Sequence, residues 1–304
     1  MRHKIIYRHW QPGDDDAILE LLVPGEQVHE DSYRTKFEDW HVEIDAEAIR
    51  LALLNDRVVG HVLGEPTPLC IESKIQIFGW VSHVFVAPDM RQQGIATHLM
   101  HELHSHFKRK GYRGSILDTD EEAAIRLYQK VGYQLLTREL RTQLPRNPSS
   151  SQLKWTEVNQ QDLSAFPQLD ERWARCNFPV EWVRQNIVKK RAFIKVHQYN
   201  MSGYRVLRQG QKIVGYSRWE EPSEYYPDGL IRDPIVPEMD PMEVITSVQA
   251  AIPATCTWQT AKGGRYEAAL RLCGCTFEPT TWVLMLLPFG PEIDLTGSHR
   301  TGWR

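Results

Sequence analysis

No apolar run in this 304-residue chain approaches the roughly 20 residues that a membrane-spanning helix needs, so no membrane partner is expected. Charge of one sign is also missing. Lys and Arg number 36 against 39 Asp and Glu, and the formal net charge of -3 supplies no general attraction to nucleic acid or anionic lipid. Cysteine is scarce: Cys70, Cys176, Cys256, Cys273 and Cys275 are odd in number and scattered, which fits reduced thiols better than a disulfide framework. Cys273 and Cys275 are too isolated to read as metal ligands, so packing is expected of them and no metal is expected in the protein. The opening "MRHKIIYRHWQPGDDD" lacks the apolar core of a secretory signal, and a cytoplasmic location is expected.

What is present is the composition of a globular protein, 41% hydrophobic and 25% charged, with length for about two domains. "LPRNPSSSQLK", Leu144 to Lys154, has prolines, an Asn and three serines, a loop composition that interrupts helix and strand. Domains are therefore expected over 1–145 and 154–290, with a linker at 146–153 and a tail at 291–304 that lacks periodicity. The first half alternates strands with helices, in the order of an α/β (α+β) domain with a mixed sheet. "IRLALLNDRVVGHVLGE" reads as a hairpin turning at Asn55-Asp56, residues that tolerate positive φ. "IFGWVSHVFVAP" reads as a strand ending at Pro88, followed by a helix from Gly94 to Gly111, the strand "SILDTD", a short helix stopped by Gly132, and a last strand "YQLLTRELRTQL".

The stretch "VFVAPDMRQQGIATHL" joins a strand to a helix through Arg91, Gln92, Gln93 and Gly94. The first N–H groups of such a helix have no partners inside it, and the positive end of the helix dipole adds to them, so together they can hold a phosphate. Gly94 admits close approach, Ala96 removes bulk, Thr97 adds a hydroxyl and Arg91 a fixed positive charge.

Two motifs in order make this turn specific. Val86-Ala87-Pro88 followed by Arg91-Gln92-Gln93-Gly94-Ile95-Ala96, and then "AIRLYQKVGY" from Ala124 to Tyr133, resemble the signature of the GNAT superfamily of acetyl-CoA-dependent N-acetyltransferases. Tyr133 stands where that family has Phe. The resemblance covers essentially residues 1 to 145 and implies the GNAT fold, a mixed and mostly antiparallel sheet flanked by helices. It implies acetyl-CoA as co-substrate, with the pyrophosphate on the backbone of Gln92, Gln93, Gly94, Ile95, Ala96 and Thr97 beside Arg91. The pantetheine arm would pair with the main chain of Val84, Phe85 and Val86. Tyr128 takes the place of the tyrosine that protonates the departing thiolate, a task suited to a group with a free pKa near 10. Glu121 replaces a family Asn that contacts the cofactor, which puts that contact in doubt.

The general base is left open between His83, Asp118 and a chain of waters, because neither central strand offers the Glu used by many relatives. No cysteine stands beside the motifs to carry an acyl group, so the amine is expected to attack the thioester directly in a ternary complex. The other class of function is a non-catalytic acyl-CoA sensor. Partners are expected to be a small-molecule amine or peptide acceptor; a homo-oligomer is left open. An excess of Asp and Glu between Pro24 and Ala48 would attract a cationic amine, or is an ordinary solvated face. His98, His101, His104 and His106 lack the H-E-x-x-H pattern and read as a wet helix face.

The second half carries a faded copy of the first. Setting Pro237 under Pro88 and Gly274 under Gly132 aligns the two and puts Asp240, Pro241, Glu243 and Leu270 under Arg91, Gln92, Gly94 and Tyr128. Two carboxylates repel a pyrophosphate, a proline offers no N–H, and a leucine donates no proton. The second copy is expected to lack the chemistry of the first.

Overall fold

The computed structural model describes residues 4–22, 45–71, 74–148, 151–166, 168, 169, 172, 203–224 and 226–291. In the first half β1 (Ile6–His9), α1 (Asp15–Leu22), β2 (Ile49–Leu54), β3 (Arg57–Ile71) and β4 (Lys74–Val86) lead to α2 (Ile95–Arg109), β5 (Gly114–Thr119), α3 (Glu122–Lys130) and β6 (Gln134–Leu144). The second half has β7 (Leu153–Glu157), β8 (Tyr204–Gln209), β9 (Lys212–Glu220), β10 (Leu230–Arg232), α4 (Pro241–Ala251), β11 (Cys256–Ala261), α5 (Glu267–Leu272) and β12 (Phe277–Pro288). The β2–β3 hairpin turns at Asn55 and Asp56 with φ of 51° and 63°, the left-handed pair that a two-residue turn requires.

The mixed, mostly antiparallel character read from the sequence is found, and the strands of both halves pair in one 12-stranded sheet. Its order is β1-β2-β3-β4-β5-β12-β6-β11-β10-β9-β8-β7. Only β4 with β5 and β10 with β11 run parallel. The order is its own reverse when each strand is exchanged for the one in the same place in the other half. At its centre β12 pairs with both β5 and β6, and β6 also pairs with β11. Each half thus lends its last strand to the other.

Burial follows this exchange. Ile18, Leu51, Val62, Leu99, Leu103 and Phe107 form the first core, joined by Val283 and Met285 of β12. A second core holds Leu144 of β6 with Val206, Val248, Trp258 and Tyr266. Helix α2 lies tightly on the sheet: a Cβ on Gly79 of β4 would come within 2.1 Å of the Phe107 ring.

One surface reading is corrected. His98 and His101 of α2 are exposed, but His104 and His106 are buried. The helix is covered on more than its sheet side. Asp45 Oδ2 and Glu47 Oε2 lie 2.9 Å and 3.2 Å from the two ring nitrogens of His106. Asp45 also pairs with Lys110 at 2.8 Å, so these two carboxylates from the acidic stretch serve packing. The rest of that stretch, from Glu26 to Glu43, and the tail beyond Pro291 lie outside the described residues. No helix among the described residues is long and apolar enough to cross a membrane.

Candidate active site

Strands β4 and β5 start together and part. Among the described residues they pair only at Gly79 with Ser115 and Trp80 with Ile116, so from Val81 to Val86 one edge of β4 has no ladder partner. On its other edge β4 pairs with β3, and there the register slips: Leu63 faces Ser82 and His61 faces Phe85. The extra residue makes a β-bulge, and His83 within it has φ of 51°. A bulge bends its strand and increases the local twist, which turns β4 away from β5. Val84, Phe85 and Val86 are half-buried along the resulting wedge.

The wedge ends at the start of α2. Gly94 is the N-cap, with φ of 80° and no side-chain cap. Among the described residues no acceptor is placed for the backbone N–H of Gln92, Gln93, Gly94, Ile95, Ala96 or Thr97. Gln92 also has positive φ, 63°, so the turn curls its amides into a concave row. Arg91 donates Nε–H to the Val86 carbonyl at 3.1 Å, and its guanidinium lies 5.7 Å from the centre of the Phe85 ring. The cation is thereby tied to the strand that lines the wedge. Residues Arg91 to Gly94 are exposed. The structure thus brings together all of the predicted turn and strand residues, as an unpaired strand edge leading to unpaired helix donors.

Tyr128 of α3 is buried in the first core, with its ring 5.8 Å from that of Tyr133. Its hydroxyl has no hydrogen-bond partner among the described residues. Burial pushes its pKa above the ordinary phenol value, and the nearby carboxylates of Glu121 and Asp118 add to the shift. A phenol so held stays protonated until a strong base forms beside it. Asp118, at the open end of β5, is thus close to this phenol. His83 is half-buried, and its backbone forms the bulge.

Four side chains without a site role in the sequence reading, Tyr133, Ser115, His104 and His61, also shape the wedge. Tyr133, where the family motif has Phe, puts its hydroxyl 2.6 Å from Ser115 Oγ and 3.0 Å from His104 Nε2. Ser115 in turn donates to the Gly79 carbonyl at 3.2 Å, within the short stretch where β4 and β5 pair. This buried polar chain pins the vertex of the wedge. Beyond it His61, wholly buried on β3, places Nδ1 3.0 Å from the His83 carbonyl. The signal for His61 was a single imidazole inside the apolar run "VVGHVL".

The matching place in the second half is closed. Asp240 caps α4 by accepting from Met242 N–H at 2.8 Å, and Pro241 opens the helix without an N–H. Arg265 donates to the carbonyls of Val236, at 2.7 Å, and Met239 in the loop before that helix. Leu270, the counterpart of Tyr128, is fully buried. Among the described residues no group of three or more His, Cys, Asp or Glu is placed to hold a metal.

The site is thus a strand edge without a ladder partner that ends in helix amides for which no acceptor is placed among the described residues. The family model of the acetyltransferase (GNAT) family matches residues 15–133, which contain the whole wedge. Among solved structures, a GCN5-related N-acetyltransferase from Kribbella flavida superposes with a TM-score of 0.67 at 14% identity, over 92% of this chain and 71% of that one. A GCN5-related N-acetyltransferase from Anabaena variabilis gives 0.66 at 15% identity, over 92% and 72%. A probable N-acyltransferase from Enterococcus faecalis gives 0.65 at 11% identity, over 96% and 73%. These likenesses are of fold and extend across both halves. No curated protein sequence matches the chain.

Proposed function

We propose that the first half transfers an acetyl group from acetyl-CoA to a primary amine, by direct attack in a ternary complex. The observation that carries this reading is the row of N–H groups from Gln92 to Thr97 with no acceptor among the described residues, at the end of the β4 edge that has no ladder partner there. A pyrophosphate fits such a row, with Arg91 adding charge. The pantetheine amides are matched by the edge of β4 that has no ladder partner beside Val84, Phe85 and Val86. The thioester then lies in the wedge, where an amine lone pair forms the new C–N bond and the C–S bond breaks. Tyr128 gives its proton to the departing thiolate, and the ammonium proton leaves through water, His83 or Asp118. The acceptor is a small-molecule amine or a peptide N-terminus, and the acidic residues of the sequence between Glu26 and Glu43 favour a cationic one.

The second half is read as a degenerate copy without chemistry of its own; its capped α4 and the self-reversing strand order support this reading. Turnover of acetyl-CoA with polyamines, aminoglycosides, amino acids and peptide N-termini tests the proposal through release of free thiol. Tyr128→Phe is expected to lower kcat about 100-fold and to leave acetyl-CoA affinity within about twofold. Equal losses in both count against its acid role, and binding without transfer to any acceptor supports an acyl-CoA sensor.

A further inference from the structure

His61 is an expensive residue for its place. It sits in the middle of β3, fully buried, between partners on β2 and β4. Nδ1 is 3.0 Å from the His83 carbonyl, while Nε2 is buried with no partner among the described residues. A carbonyl only accepts, so Nδ1 carries the proton and the ring is the Nδ1–H tautomer. The lone pair on Nε2 is then left unsatisfied, a penalty that an apolar residue of similar size would avoid. What the imidazole supplies at this point is one N–H, and the group it serves is the carbonyl of the bulge.

That bulge sets the face of β4 that lines the wedge. His83 has φ of 51°, a conformation unfavourable to a residue with a Cβ, and its carbonyl is aimed at the His61 ring. Were the extra residue to slip back into regular pairing, every position from Val84 to Val86 would move by one. The main-chain donors and acceptors now on the open edge would turn inward, and side chains would change faces. We propose that His61 is a positioning residue: its Nδ1–H holds the His83 carbonyl and so fixes the strand register that presents Val84 to Val86 to the acyl-CoA arm. The register part stands on geometry alone; the acyl-CoA part rests on the function proposed above.

The test compares His61→Leu, which fills the space without a donor, with His61→Asn, whose amide nitrogen reaches the Nδ1 position. Hydrogen exchange of a peptide covering residues 82–87 reads the register, and calorimetry reads acetyl-CoA affinity. His61→Leu is expected to speed exchange in that peptide and to weaken affinity, each about tenfold, with exchange elsewhere unchanged. His61→Asn is expected to return both to within about threefold of the parent. Parent-like exchange and affinity in His61→Leu would mean that the ring only fills space, and would overturn the proposal. Should His61→Leu fail to fold, nitrogen NMR of the parent decides: the Nδ1–H tautomer supports the latch, and the Nε2–H tautomer refutes it. If exchange responds as expected while the parent binds no acetyl-CoA, the positioning holds and the functional reading falls.

Discussion

Lowering the pH from 7 to 5 should weaken the folded state through two buried imidazoles. Burial pulls His61 down to about 4, and burial, aided by the positive charges of His101 and Lys108, pulls His104 down to about 3. The unfolded chain takes up a proton near pH 6.5 at each ring, and the folded chain refuses it. Folding therefore weakens as pH falls from 6.5 towards those values, by about 1.4 kcal/mol per pH unit per ring. Between pH 7 and 5 this gives about 2 kcal/mol each and about 4 kcal/mol together, a large fraction of the ~5–15 kcal/mol typical of a folded protein. Urea unfolding at the two pH values measures the loss. His104→Gln isolates one ring, because the Gln amide can keep a hydrogen bond to Tyr133 and has nothing to titrate. Its loss over the same interval should be smaller than the parent's by about 2 kcal/mol. Equal losses would show that His104 accepts its proton in the folded chain, and would refute the account of its burial.

Three further outcomes follow from the wedge and the sheet. Gly94→Ala meets no atom within 4 Å but is forced to φ of 80°, so chemical denaturation should show a loss of about 1–2 kcal/mol. Calorimetry on the same variant should show acetyl-CoA affinity down about tenfold, since a methyl now stands over the donors; full affinity would exclude this turn as the phosphate site. Tyr133→Phe removes the hydroxyl shared by Ser115 and His104, and urea titration should report a loss of about 1–3 kcal/mol. Residues 1–148 expressed alone should be insoluble, because β5 loses β12 and β6 loses both β12 and β11. Co-expression with residues 149–304 should recover soluble protein; a soluble, cooperatively melting first half would argue against the strand exchange.

Local chemistry was legible in the sequence. Asn55-Asp56, Gly94, Gly111 and Gly132 all take the positive φ that their turns demand, and the predicted strand–turn–helix is found. These features depend on neighbours within a few residues, which a sequence displays directly. The exchange of β6 and β12 was not legible, because "YQLLTRELRTQL" and "FEPTTWVLMLL" each read as a last strand whichever half they pair with. Strand partners are chosen by long-range burial, here Val283 and Met285 entering the first core. His104 and His106 were misread for a related reason. A polar residue on a helix reads as wet until the groups meeting it, Tyr133, Asp45 and Glu47, are known. His61 gave only the weak signal of one polar residue in an apolar strand, and its use depends on a bulge in another strand.

The crossed strands also bear on how this molecule can change over generations. A half read as chemically silent would ordinarily be free to accumulate damage or to be deleted, but here its strand β12 pairs with β5 and β6 and adds Val283 and Met285 to the first core. Random substitutions around Trp258 or Val248, far from any reacting atom, should therefore surface in a genetic screen as loss of transferase phenotype. On that reading, a silent partner would stay under selection through the neighbour it buttresses.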